Sequence, residues 1–158
     1  MLKDCRITDK ANPLHVDFAA HAAAMGAASR HCASLADLSA ALEWAKGLGG
    51  LKGLQARSDA NAAALDKIVA ERDWLSHLAA DPATRSKTSV CLSVAGADEA
   101  FIKAMAAVLE KEGAAYDIAG YRDAPPGLRI WCGATVDTAD IEALGPWLDW
   151  AFETTKSA

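Results

Sequence analysis

The spacing of apolar and polar positions divides the chain into a helical first part and a mixed second part. Ser34 to Asp37 reads as a capping box, and leucines then recur on one helical face. A longer helical stretch runs from Leu51 to Arg72, with bulky residues on a stripe that also holds the polar Ser58 and Asn61. The glycines between Gly47 and Gly50 interrupt the pattern, so two separate helices are predicted.

The pattern changes after Asp81-Pro82, where apolar residues begin to alternate with polar ones. The predicted elements are, in order, a strand from Thr88 to Val94, a helix from Asp98 to Glu112, strands from Ala115 to Ile118 and from Leu128 to Cys132, and a helix opened by Asp137. Pro146 is expected to kink or restart that last helix. The order β-α-β-β-α predicts an α+β, two-layer domain: a small, mainly antiparallel sheet with helices over one face and the other face free for a larger structure.

Composition places these elements in one globular domain. The chain has 158 residues, of which 52% are hydrophobic and 23% charged, so it can bury a core. We interpret residues 34–158 as that domain and residues 1–33 as an N-terminal arm of unrecognised origin. The formal net charge of -5 argues against nucleic-acid and anionic-membrane partners. No segment reaches the roughly 18 apolar residues that a membrane span needs.

The spacing of the cysteines and histidines predicts no metal site and no catalytic group. The cysteines are scattered along the chain, at Cys5, Cys32, Cys91 and Cys132. This favours reduced thiols in a cytoplasmic protein over a zinc site or a disulfide scaffold. Cys91 and Cys132 fall inside strand patterns and are predicted to be small core residues. The histidines lack ligand spacing, so no metal site is predicted, and no residue is an obvious general base.

The stretch GYRDAPPGLRIWCGAT, from Gly120 to Thr135, has the features of an anion site. It places Arg122 and Arg129 around a turn stiffened by two prolines, and Gly127 permits a close backbone approach. Alternation puts Arg129 and Trp131 on one face of the strand, so a guanidinium lies beside an indole. Arginine matches a carboxylate or phosphate with paired donors. The alternative interpretation is that both arginines are ordinary surface charges lying over apolar area.

This stretch also carries a resemblance, together with DPATRSKTSVCL from Asp81 to Leu92 and LEWAKGLGGL from Leu42 to Leu51. Over roughly Ser34 to Glu153 the chain resembles the C-terminal, small domain of phosphoserine aminotransferase. The resemblance implies the aspartate aminotransferase fold, a homodimer and a pyridoxal phosphate cofactor. It also implies amino transfer between glutamate and 3-phosphohydroxypyruvate in serine biosynthesis. By the same similarity, Arg129 binds the substrate α-carboxylate, and Tyr121 and Arg122 contact its phosphate, although a histidine often stands where Tyr121 is.

The chain departs from that family in two ways. The family's cofactor-binding lysine lies in a large domain that has no counterpart here, and Lys46 and Lys52 do not match its motif. The family's Asn-Thr-Pro-type segment, which reaches the cofactor phosphate of the partner subunit, is replaced by residues 28–34, so cofactor contact is in doubt. The isolated chain is therefore expected to hold a substrate-anion clamp but no catalytic residue, and to be inactive alone.

Three interpretations of function stay open. In the first, the chain is the small domain of a phosphoserine aminotransferase-like protein. In the second, it is a non-catalytic module that kept the fold and associates with itself through its exposed helices. In the third, it is a regulator that binds a phosphoserine-like anion.

Overall fold

The structure, a computed structural model, describes residues 34–121 and 123–157 as four α-helices, one short 3-10 helix (Pro82–Thr84) and three strands, with one hydrophobic core. The helices are α1 (Leu35–Gly47), α2 (Gly50–Ala70), α3 (Glu99–Lys111) and α4 (Thr138–Lys156). The strands are β1 (Leu75–His77), β2 (Ser89–Val94) and β3 (Gly127–Trp131). The predicted arm, residues 1–33, lies outside the described residues.

The strands form an antiparallel sheet in the order β1-β2-β3, which confirms the predicted α+β class. Alternation decides its two faces: Val90, Leu92 and Val94 of β2 are buried, and so are Leu128 and Ile130 of β3. These residues share one core with the apolar faces of the helices, including Leu65, Met105, Leu109 and Leu148. Helices α2, α3 and α4 therefore cover one face of the sheet and leave the other open, as predicted.

The helix ends follow local sequence. Ser34 accepts a hydrogen bond from the backbone of Asp37, whose side chain accepts from the backbone of Ser34, which completes the predicted capping box. Asp98 caps α3 through the backbone N–H of Phe101. Helix α4 runs through Pro146 without restarting. Its middle is tied to the end of α2, because Arg72 donates to both carboxylate oxygens of Asp149 at 2.7 and 2.6 Å.

Two features of the sheet differ from the sequence prediction. The predicted strand from Ala115 to Ile118 is absent, and the segment instead turns and makes a single bridge between Ala119 and Leu128. Asp117 adopts a φ of 51°, a left-handed conformation outside the range of a regular strand, and it breaks the extended backbone at this residue. The strand β1 was missed, because a segment of three residues is too short to show a period of two.

Gly127 makes the close approach that the sequence suggested. A Cβ at this position would lie 2.1 Å from the carbonyl oxygen of Leu92 on the neighbouring strand. Its backbone also accepts from the N–H of Gly120, at 2.9 Å. The start of β3 is therefore held tightly between β2 and the segment that precedes the proline turn.

Candidate functional site

The open face of the sheet carries the candidate site. The register pairs Cys91 with Arg129 and Ser89 with Trp131, so the four side chains lie on the face away from the helices. Half of the Trp131 surface is exposed, whereas the Arg129 side chain is only 21% exposed. The register confirms that Arg129 and Trp131 share one sheet face. The Trp131 indole itself is directed toward Gly133, and its Nε1 donates to the Thr135 hydroxyl at 3.2 Å.

Arg129 is held by the residue that interrupts the predicted strand. Its Nη2 donates to the carboxylate Oδ2 of Asp117 at 2.6 Å and to the Asp117 carbonyl oxygen at 3.1 Å. Its backbone N–H donates to the carbonyl of Ile118 at 2.7 Å. The left-handed conformation of Asp117 thus turns both acceptors of this residue toward one guanidinium. Sequence spacing gave no signal for this pair, because it depends on how the segment folds back.

Tyr121, another predicted site residue, lies next to Arg129. The guanidinium carbon of Arg129 lies 5.1 Å from the centre of the Tyr121 ring, within the range of a cation–π contact. The Tyr121 hydroxyl is 3.0 Å from the hydroxyl of Ser89, which fastens the ring to β2. Arg122, the third predicted site residue, lies outside the described residues.

The loop after β3 is fixed by polar side chains of α2. Asn61 is fully buried, and its amide nitrogen donates to the carbonyls of Cys132, Gly133 and Val136, at 3.3, 3.1 and 2.9 Å. Its amide oxygen accepts from the Thr138 hydroxyl at 2.7 Å. Asn61 is one of the polar residues on the apolar stripe that the sequence predicts for this helix. The structure assigns Asn61 to a local core that anchors the end of β3.

Arg57, one turn before Asn61, strengthens the same loop. Its Nε donates to the carbonyl of Ala134 at 2.9 Å, and its Nη2 contacts the carboxylate of Asp137 at 2.5 Å. Asp137 is the residue that precedes α4. Together, Arg57 and Asn61 connect the end of the strand that carries Arg129 to the start of the last helix.

Cys132 and Cys91 lie in different environments. Cys132 is fully buried on the core face, and burial raises the pKa of its thiol to about 12, so it is an inert core residue as predicted. Cys91 is half-buried on the open face opposite Arg129, so its assignment to the core was wrong. The period of two that buries Val90 and Leu92 places Cys91 on the other side of the sheet.

His77 forms a contact that sequence spacing did not reveal. Its Nε2 lies 2.9 Å from the Asp66 carboxylate, while its Nδ1 is buried and has no hydrogen-bond partner among the described residues. Burial, together with the nearby charge of Arg85, lowers the pKa of His77 despite the opposing effect of Asp66. In the neutral imidazole, Nε2 carries the proton and donates to Asp66. Nδ1 then carries a lone pair and no proton, so no N–H group is buried without an acceptor.

The described residues do not by themselves fit a pyridoxal phosphate site. Such a site needs a lysine amine of lowered pKa, held away from water. Every lysine in the described ranges is exposed. Lys87 lines a concavity of about 540 Å³ with Trp131. However, Lys87 hydrogen-bonds Asp59, which raises its pKa.

Comparison with solved structures defines the class of domain. The fold matches a phosphoserine aminotransferase from Bacillus circulans subsp. alkalophilus with a TM-score of 0.60 and 22% identity, covering 71% of this chain and 30% of that one. It also matches a phosphoserine aminotransferase studied for radiation damage of its Schiff base, with a TM-score of 0.59 and 19% identity over the same shares. The chain thus has the fold of an aminotransferase small domain.

Sequence comparison identifies the particular relatives. The chain is 48% identical over 120 residues to the phosphoserine aminotransferase of Methanosarcina barkeri (strain Fusaro / DSM 804). It is 46% identical over 120 residues to that of Methanosarcina mazei. Each match covers 76% of this chain but 32% of the relative, so the chain spans about a third of the length of these proteins. No protein-family model matches. The resemblance to the small domain of phosphoserine aminotransferase is confirmed.

Proposed function

We propose that this chain supplies the substrate-carboxylate-binding half of a phosphoserine aminotransferase-type site. In this proposal Arg129 binds the α-carboxylate of a phosphoserine-like amino acid, and Tyr121 and Arg122 contact its phosphate. The observation that carries it is the position of Arg129: a partly buried guanidinium on the open sheet face, between the Tyr121 ring and β2. Its surroundings pre-orient the planar fork, which reduces the side-chain entropy lost on binding.

The chemistry that the described residues can perform is binding and orientation. The guanidinium offers charge-assisted hydrogen bonds to an anion, and the Tyr121 ring offers an apolar face beside it. Every lysine in the described ranges is exposed, whereas a nucleophilic lysine is held away from water. Amino transfer in serine biosynthesis, with pyridoxal phosphate as cofactor, would then require the part of the relatives that this chain does not cover.

We expect the isolated chain to bind O-phosphoserine but not to transfer its amino group. Binding is measured as a rise in thermal stability on titration with O-phosphoserine, with O-phosphoethanolamine, which lacks the carboxylate, as the matched control ligand. Turnover is measured with added pyridoxal phosphate and 2-oxoglutarate, together with the cofactor's absorbance band. Equal shifts from the two ligands would contradict the role of Arg129, and steady turnover would contradict the dependence on a further domain.

A second candidate, a self-associating module, is favoured by one specific observation. Helix α1 has no buried residue, and its leucines are exposed, with 83% of Leu35 and 54% of Leu42 accessible. Trp44 of the same helix and Leu51 at the start of α2 are 49% and 73% exposed. Apolar residues on neighbouring turns that are this accessible typically mark a surface that another chain or domain covers. A homodimer, as the family resemblance implies, would cover it.

We expect the purified chain to sediment as a dimer or larger assembly at micromolar concentration. Replacing Leu35 and Leu42 together with glutamate should shift it to monomer, because charged side chains would be costly to bury at the contact. Replacing the exposed Ala63 of α2 with glutamate is the matched control and should leave the assembly unchanged. A parent chain that stays monomeric over this range would contradict self-association.

A further inference from the structure

The guanidinium of Arg129 is already occupied by an internal carboxylate. Both contacts with Asp117 are made through Nη2, at 2.6 Å to Oδ2 and 3.1 Å to the backbone oxygen. A guanidinium presents paired donors either at Nε and Nη2 or at Nη1 and Nη2, so Nη2 belongs to both forks. Nη2 has two N–H groups, one in each fork, so its two contacts with Asp117 compete with a second carboxylate for either fork.

The ion pair between Asp117 and Arg129 has features that allow an incoming anion to replace Asp117. The Asp117 side chain is 79% exposed, so water and salt can solvate and screen its carboxylate once it is released. The residue also holds a left-handed φ of 51°, which most non-glycine residues avoid. The Tyr121 ring and its contact with Ser89 do not involve Asp117. Arg129 would therefore keep its support when Asp117 leaves.

We propose that Asp117 is a built-in competitor for the carboxylate that Arg129 binds. It sets the affinity of the site by requiring an incoming carboxylate to displace it from Nη2. It also sets selectivity, because an anion with a single acceptor oxygen cannot form the paired hydrogen bonds that compensate for the loss of Asp117. This inference rests on the proposed function, since it takes Arg129 to be the carboxylate-binding residue.

The test uses the full chain and replaces Asp117 with asparagine, which tolerates the left-handed conformation and removes the charge. Asp123→Asn is the matched control, since Asp123 is exposed in the same connection and carries the same charge. Titration calorimetry at low salt should show O-phosphoserine binding to Asp117→Asn about threefold to tenfold more tightly than to the parent chain. Asp123→Asn should stay within about twofold of the parent, and O-phosphoethanolamine should show no such gain.

A second readout needs no ligand. Phenylglyoxal modifies accessible arginines, and peptide mass spectrometry reports the rate at Arg129. Loss of the paired carboxylate should raise that rate at least about twofold in Asp117→Asn and leave it unchanged in Asp123→Asn.

The two readouts separate the possible failures. Equal modification rates, or O-phosphoserine binding that is unchanged or weaker in Asp117→Asn, would overturn the role of Asp117 as a competitor. In either case, binding of O-phosphoserine by the parent chain would still support the proposed function. A faster modification rate without O-phosphoserine binding by any variant would overturn the proposed function while supporting the occupied state of Arg129.

Discussion

Replacing Asn61 with alanine is expected to lower the free energy of unfolding by about 2 to 4 kcal/mol. The side chain is fully buried and makes four hydrogen bonds, three to backbone carbonyls after β3 and one to the Thr138 hydroxyl. Removing it leaves these groups without their partner at buried and partly buried positions. It also leaves a cavity between α2 and the loop that leads to α4.

The control for this prediction is Gln55→Ala, a second amide on the same helix that is exposed. Its replacement should change the free energy of unfolding by less than about 0.5 kcal/mol. Denaturant unfolding followed by circular dichroism measures both variants. A loss of stability in Asn61→Ala no larger than in the control would show that the loop satisfies its carbonyls without the amide.

The parts of the fold that the sequence predicted are those that local periodicity decides. Alternation in the segment from Thr88 to Val94 gave the central strand, and it gave the correct buried face. The capping box at Ser34 and the glycines near Gly49 placed the boundaries of the first helices. Each of these signals acts within a few residues, so no knowledge of tertiary contacts was needed.

The parts that the sequence did not predict depend on contacts between distant segments. The segment around Asp117 has the composition of a strand, but its left-handed residue turns it back toward Arg129. The strand β1 is defined by its pairing with β2 rather than by its own three residues. Tertiary context therefore overrides local preference at both places.

The sequence likewise predicted only part of the candidate site. Spacing placed Arg129 beside Trp131, and the family resemblance pointed to Tyr121. The partners that hold Arg129 and Tyr121 in place, Asp117 and Ser89, were not foreseen. A hydroxyl or carboxylate in a strand or turn has no sequence signal until the register shows which side chain lies opposite it.

Replacing Arg129 with alanine is expected to weaken O-phosphoserine binding by about tenfold to a hundredfold. The charge-assisted hydrogen bonds between the guanidinium and the ligand carboxylate would be lost, and the alanine offers no substitute. Arg129→Lys should recover only part of the affinity, because an ammonium keeps the charge but not the planar fork. The measurement is titration calorimetry, with circular dichroism to confirm that each variant is folded.

Lys111→Ala is the matched control, since it removes one exposed positive charge at the far end of α3. It should change the affinity by less than about twofold, because an exposed charge that is not in contact with the ligand is largely screened. If Arg129→Ala weakened binding no more than Lys111→Ala, overall charge rather than a directed fork would explain the affinity. A full recovery by Arg129→Lys would likewise mean that charge alone is sufficient. A carboxylate clamp on the open face of the sheet is supported only by three results together. These are a large loss of affinity in Arg129→Ala, a partial recovery in Arg129→Lys and an unchanged affinity in Lys111→Ala.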